Sequence, residues 1–467
     1  MMIFRQLILF ACVLGIVLSS GCGGGSGGGS VASNGGIEGT GAPVASMGSV
    51  TAFGSVFVNG VEYDTNSANI TIDNTSSQPE DSLSLGMVVL VKGTVNRNGK
   101  TGDANSVVFD QNLEGPISST NTVDGLLVLT ALGIEVTVTD DTVLENVDYD
   151  GLTAGIVISV SGFTAGDSII ATRIEKLADS HTNGDKLEVE GIVGNIDTLL
   201  KEFTIGTQNV DYDGAVVVPA SATLENGSLV EVKGTEFNGA TLVATQVRIK
   251  SKDAGFENGD NVEIEGVITD FNSSADFTVS GVIVNASDAD FSNGSESDLA
   301  NGIRLEIEGE IDTDGVLQAS KVTIKSNPKN KLRAEASNIN TTAHTLTLLG
   351  VTVETNSTTI FQDTGTGRLR FFTFEDIEEG DWIDVQGNFQ GGTVSVSRLT
   401  RRQSSSGVLV KGTVTAKTAD TLTVMGITID TTDVDASSIV VGDLIVAEGL
   451  TVIGADTLRA DSISVED

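Results

Sequence analysis

Five short acidic runs are the residues best placed to do chemistry: Asp140-Asp141, Asp148-Tyr149-Asp150, Asp211-Tyr212-Asp213, Asp288-Ala289-Asp290 and Asp433-Val434-Asp435. Clustered carboxylates suit two tasks. Calcium takes about six to eight oxygen ligands, which Asp-rich loops can supply, and a pair of carboxyls can cleave a glycosidic bond. The pattern fits neither well. No continuous calcium loop or Gly-Asp nonapeptide repeat occurs. A sugar-processing cleft needs aromatic platforms, and the chain has one Trp, Trp382, and three Tyr. The acidic runs are expected to be solvated strand ends, and no metal-ligating set is assigned.

The remaining reactive residues are scarce. His181 sits in the polar stretch Ser180-His181-Thr182-Asn183-Gly184 and His344 at a hairpin; neither has a second imidazole or a thiol at ligand spacing. Both are expected to be exposed turn residues. No Gly-x-Ser-x-Gly elbow precedes a helix. The two cysteines, Cys12 and Cys22, leave the body of the chain with neither disulfide nor zinc site. No catalytic residue and no cofactor is expected, and the chain reads as a non-enzyme. Basic residues gather at Arg398, Arg401 and Arg402, and at Lys325, Lys329, Lys331 and Arg333, where they are expected to keep junctions soluble. With 64 acidic against 26 basic residues and a net charge of −38, nucleic acid is not an expected partner, because phosphate binding needs a Lys/Arg-rich face. Such a surface can collect divalent cations weakly.

The elements that carry these residues repeat. Gly86/Gly93, Gly155/Gly162, Gly227/Gly234, Gly302/Gly309, Gly380/Gly387 and Gly442/Gly449 each frame an apolar strand, and the pairs recur about every 71 residues. Around each framed strand lie an opening strand, a hairpin and a closing strand. The hairpin is clearest at Asn59-Gly60, a strong two-residue turn signal. Strand periodicity puts Val89 and Val91, Ile158 and Val160, Val230 and Val232, Leu305 and Ile307, Ile383 and Val385, or Ile445 and Ala447 on one face. Leu90, Ser159, Glu231, Glu306, Asp384 or Val446 occupy the other, mostly polar and expected to be wet. Trp382 is expected to pack on a barrel end. Short helical turns suit residues 375–379.

This grammar predicts an all-β chain of six small five-stranded antiparallel barrels: 47–110, 112–177, 186–251, 260–326, 331–402 and 408–465. Short linkers predict a semi-rigid string. Ahead of it, Arg5 and the apolar run Leu7–Leu18 read as a signal-peptide core, too short to span a bilayer. The segment Leu18-Ser19-Ser20-Gly21-Cys22 resembles the lipobox of bacterial lipoproteins, with Leu one position early. The resemblance implies a signal peptide over 1–21, lipidation of Cys22, and, from Gly23 in place of Asp, sorting to the outer membrane. A Gly/Ser-rich tether over 22–46 suits such an anchor.

The series Gly48-Ser-Val-Thr-Ala-Phe-Gly-Ser-Val-Phe-Val-Asn-Gly60, Leu85-Gly-Met-Val-Val-Leu-Val-Lys-Gly93 and Ala104-x-x-Val107 resembles a bacterial repeat domain of unknown function, similar in outline to an OB-type barrel and found in tandem in envelope lipoproteins. The resemblance implies fold and compartment and brings no site residues. The expected function is a non-enzymatic, lipid-anchored envelope protein, a multivalent binding or scaffold string. The alternative is a small-ligand, polysaccharide or divalent-cation binder acting as an enzyme accessory. Expected partners are the membrane, through the lipid, and an envelope protein or polysaccharide; the binding residues are unknown.

Overall fold

Val56, Val58, Val61 and Tyr63 are buried, while Phe57 and Glu62 between them are partly exposed. That alternation makes the first repeat a set of half-buried strands. In a computed structural model of the protein, which describes residues 43–123, 125–251, 255–325, 328–403 and 407–466, these strands close on themselves. Pro43–Ala52 pairs through its first half with Val88–Val95 and through its second half with Val56–Val58. Val56–Val58 pairs with Val61–Asp64, which runs parallel to Thr101–Phe109, which pairs back to Val88–Val95. The strand order is therefore one, two, three, five, four, one: an OB-like barrel.

The same pairing recurs in the opening strands Leu113–Val123, Leu187–Asp197 and Asn261–Ser273 with the strands that follow each of them. In the next unit the opening strand is broken into Asn330–Glu335 and Ser337–Asn340, with the pairing otherwise kept. Val408–Lys417 and its successors carry the pattern again, with the closing strand split into Thr457–Arg459 and Ser462–Glu466. Short 3-10 turns at Glu80–Ser82, Glu296–Asp298 and Phe374–Asp376 precede framed strands.

The glycine pairs have two separate causes. The leading glycine of every pair has a positive φ, from 79° at Gly86 to 105° at Gly442, which a side chain would strain. The trailing glycine lies against the closing strand: a Cβ on Gly93 would sit 2.2 Å from the Asp103 carbonyl oxygen, and one on Gly449 2.1 Å from that of Arg459. At Gly93 the ladder also slips register, a bulge that only a bare backbone permits. The Asn59-Gly60 hairpin has φ of 50° and 80°, the type I′ geometry expected of that dipeptide.

The first half of an opening strand is paired on one side only, by the framed strand. Its other edge is free, and unpaired edges invite partners. Here the repeats cover each other's edges. Val44–Met47 pairs in parallel with residues 261–264 of the fourth repeat, more than 200 positions away. Leu113 and Glu114 pair antiparallel with Glu188 and Val189, and Lys331–Arg333 with residues 409–411. Three continuous sheets result, of 13, 11 and 14 strands. One apolar cluster runs through residues 113–247 and another through 332–460.

Two expectations are corrected by this arrangement. The barrels do not form a string, because first and fourth share a sheet. The outward face of the framed strands is not wet: Glu231, Glu306 and Asp384 are buried, since neighbouring barrels cover them. The expected tether over 22–46 also ends earlier, as residues 43–46 already belong to the strand Pro43–Ala52. The signal peptide over 1–21, Cys22 and the rest of the tether lie outside the described residues.

Candidate functional site

Packing barrels edge to edge leaves a cleft of about 1400 Å³ between them. One wall comes from the third strand of the second repeat, Ile134–Glu145, and the loop after it through Gly151. The facing wall comes from the fifth repeat, chiefly Gln362, Asp363, Thr364, Arg368, Leu369 and Arg370, with Arg398, Thr400 and Arg402 of its closing strand Thr393–Arg402, and Lys411, Glu448 and Glu466 beyond it. Phe53, Ser84 and Leu85 of the first repeat complete the rim.

The cleft concentrates positive charge relative to the chain. Eight Lys or Arg and eight Asp or Glu line it, against 26 and 64 in the whole sequence. No His or Cys lines it among the described residues. At its base Arg398 is 7% exposed. Its Nη1 donates to the Thr142 carbonyl at 2.6 Å and its Nη2 to Gln362 Oε1 at 3.0 Å, while its Nε has no partner. Burial holds the Arg398 guanidinium below its ordinary pKa, and burial lowers Lys331 in the same way. Gln386, also buried, leaves its Oε1 unpartnered there.

Behind this base Asp384, 2% exposed, organises the cations. Arg402 Nε lies at 2.9 Å, Arg333 Nη2 at 3.2 Å and Lys331 Nζ at 3.9 Å. Burial would raise the Asp384 carboxyl; Lys331, Arg402 and Arg333 outweigh it and hold the group below the usual carboxylate range. The two basic stretches that appear separate in sequence thus meet around one aspartate. Lys331, Arg333, Arg398 and Arg402 belong to strands, not to solvated linkers: Arg333 is opposite Asp384 and Arg402 opposite Trp382 in the ladders. Arg401 turns elsewhere, to Asp363 at 2.6 Å and over the Phe372 ring. Lys325 pairs with Glu306, and Lys329 is exposed.

The acidic runs divide. Asp140-Asp141 is drawn into the junction: Asp141 Oδ1 accepts from Ser397 Oγ at 2.7 Å and its Oδ2 is 3.8 Å from Arg304 of the fourth repeat, while Asp140 pairs with Lys411. Burial raises the Asp141 carboxyl. Asp148 and Asp150 are exposed on the cleft rim around Tyr149. The other three runs lie at turns outside the cleft; Asp211 and Asp435 each accept a backbone N–H two residues on. His344 is exposed, with its ring 5.4 Å from that of Phe374. His181 is half-buried, not exposed as expected. Trp382 packs, half-buried, against the core of the fifth barrel.

A second charged cluster went unrecognised in sequence. Glu263, Glu306 and Glu308 each bring an oxygen within 4.8 Å of the others, at the seam of the first and fourth repeats. Glu263 lies opposite Glu308 and Glu265 opposite Glu306 across an antiparallel ladder. Glu190 opposes Glu231 in the third repeat. Like charges opposite one another destabilise a sheet, so each such pair calls for counter-ions. Lys250 serves Glu190, Arg304 serves Glu265 and Lys325 serves Glu306. Matching acids on opening and framed strands were the legible signal.

A model of the family described as domain of unknown function (DUF5666) matches residues 43–105, 114–175, 190–248, 265–323 and 336–398. No curated protein matches the chain. Among solved structures, one entitled "drosophila Unr CSD456" is similar at 13% identity, over 46% of this chain and 97% of that chain, with a TM-score of 0.13.

Proposed function

The chain belongs to the DUF5666 family, a premise that gives it tandem barrels and no activity, and we propose that it is a non-enzymatic, lipid-anchored envelope protein that binds an anionic polysaccharide in the cleft between its barrels. The observation that carries this reading is the cleft itself. A strongly acidic chain gathers almost a third of its basic residues around one opening. At about 1400 Å³ it exceeds the usual small-ligand pocket of roughly 300–1,000 Å³ and suits an extended ligand. Tyr149, exposed at the rim, offers a ring face to sugar. The covering of edges between repeats favours one composite site over six independent ones on a string.

The anchor belongs to the same proposal. Lipidation at Cys22 and an outer-membrane location rest on the lipobox-like Leu18–Cys22 segment and the glycine-rich stretch after it. Val408–Glu466 is read as a sixth copy of the repeat, on the strength of its strand pairing. Binding is tested with the detergent-solubilised chain on immobilised oligosaccharides. Uronic-acid chains should be retained over neutral ones, and Arg368→Glu at the cleft rim should weaken that retention about tenfold, as loss of one charge-assisted contact predicts. Equal retention of neutral and acidic chains refutes the cleft reading. Fatty-acid labelling that persists in Cys22→Ala refutes the anchor.

A further inference from the structure

We propose that Glu263, Glu306 and Glu308, at the seam joining the first and fourth repeats, form a calcium-type divalent-cation site that locks the two barrels together. The three carboxylate oxygens converge within 4.8 Å, a spacing suited to one hard cation with oxygen ligands. The charges are unevenly answered. Lys325 reaches one oxygen of Glu306 at 2.8 Å, and Lys321 one oxygen of Glu308 at 2.6 Å. Among the described residues, no Lys or Arg lies within ion-pair distance of Glu263. It is fully buried, and its Oε1 has no hydrogen-bond partner. Its Oε2 receives only a long bond of 3.4 Å from Ser46 Oγ, across the inter-repeat seam.

A second unpartnered group lies beside the same seam. The Tyr63 hydroxyl, on the first repeat, is 1% exposed and lacks a partner of normal geometry. It lies close enough to Glu263 and Ser46 to feel both: burial raises its pKa first, then the Glu263 charge. A buried carboxylate oxygen and a buried hydroxyl left without partners cost several kcal/mol each unless something satisfies them. A divalent cation satisfies both at once, with carboxylate oxygens from the fourth repeat and the hydroxyl oxygens of Tyr63 and Ser46 from the first. Two lysines close by dilute the negative charge, so the affinity belongs with extracellular modules, about 10⁻⁴–10⁻³ M.

The inference does not depend on the cleft, and Arg368→Glu serves as a control that should leave the cation site intact. Chelator-treated full-length protein is titrated with terbium while its tyrosines are excited, and calcium is then added in competition. Because Tyr149 and Tyr212 each lie between aspartates, the reference protein and every variant carry Tyr149→Phe and Tyr212→Phe, so that terbium on the acidic surface stays dark. The reference protein should give saturable emission that calcium displaces. Glu263→Gln, with folding checked by circular dichroism, should lose at least tenfold in terbium affinity. Tyr63→Phe, which keeps the ring and removes the phenol that feeds emission, should abolish the calcium-displaceable signal. Displaceable emission that survives unchanged in either variant, or none in the reference protein, overturns the proposal. In the latter case Glu263 is a buried neutral acid.

Discussion

Replacing Asp384 with Asn tests whether the buried charge cluster holds the fifth barrel in place. The carboxylate is 2% exposed and faces Arg402, Arg333 and Lys331 at 2.9, 3.2 and 3.9 Å. Asn keeps the shape and removes the charge, leaving three cations without their shared counter-ion. Breaking one buried pair in this way costs about 3–5 kcal/mol, and three partners put the loss toward the upper end. The single tryptophan supplies the assay: Trp382 lies two residues away on the same strand and packs against the same core. With a urea slope of about 1–3 kcal/mol per molar, its fluorescence midpoint should fall by at least about 1 M. The sign with pH is fixed as well. Asp384 titrates below its unfolded value, so its contribution is present above the unfolded pKa and disappears as pH falls through the folded one. The gap between wild type and Asp384→Asn should therefore close in acid. A midpoint within about 0.3 M of wild type at neutral pH, which at that slope is under about 1 kcal/mol, refutes the reasoning.

The glycine geometry makes a contrast available. Gly93→Ala drives a Cβ to 2.2 Å from the Asp103 carbonyl and should cost about 1–3 kcal/mol by overpacking. Gly194→Ala meets the rotatable Thr204 hydroxyl at 3.0 Å and the Thr204 carbonyl at an ordinary contact of 3.9 Å, and should lie within about 0.5 kcal/mol of wild type in the same denaturation. Glu188 is pushed up to about 7 by burial and by Asp73, against the opposing pull of Lys186 and Lys233. Its raised value means a contribution present below the unfolded pKa and lost as pH rises through about 7. Stability measured against Glu188→Gln should therefore decline between about pH 5 and 7, and a flat difference contradicts it. Arg370 carries the fifth repeat onto the first, donating to the Leu83 carbonyl at 2.7 Å and lying 4.5 Å from the Phe53 ring centre. Arg370→Ala should cost about 1–3 kcal/mol, read as faster hydrogen exchange over residues 80–86.

What the sequence discloses follows from the range of the forces involved. Strand faces were readable because a two-residue period is local: Val89, Val91, Ile383 and Val385 are all buried as alternation requires. The framing glycines were readable for a similar reason, since the turn at Gly86 and the close approach at Gly93 arise within one barrel. The partner of a free strand edge is not local. Nothing in Val44–Met47 names residues 261–264 as its neighbour, and linker length alone favours the adjacent repeat. Yet a trace of the assembly was present. Glu263, Glu265, Glu306, Glu308 and Asp384 occupy strand positions that a lone barrel would leave solvated, where single lysines in water add little. Once barrels meet edge to edge, those positions are desolvated, and an acid facing an acid then requires Lys321, Lys325 or Arg304. Acids and bases that match across opening, framed and closing strands are thus the mark of barrels that pair. The same logic places Arg398 and Arg402, which look like a solubilising patch in sequence, at the base of the cleft where a chain so acidic would otherwise repel an anion.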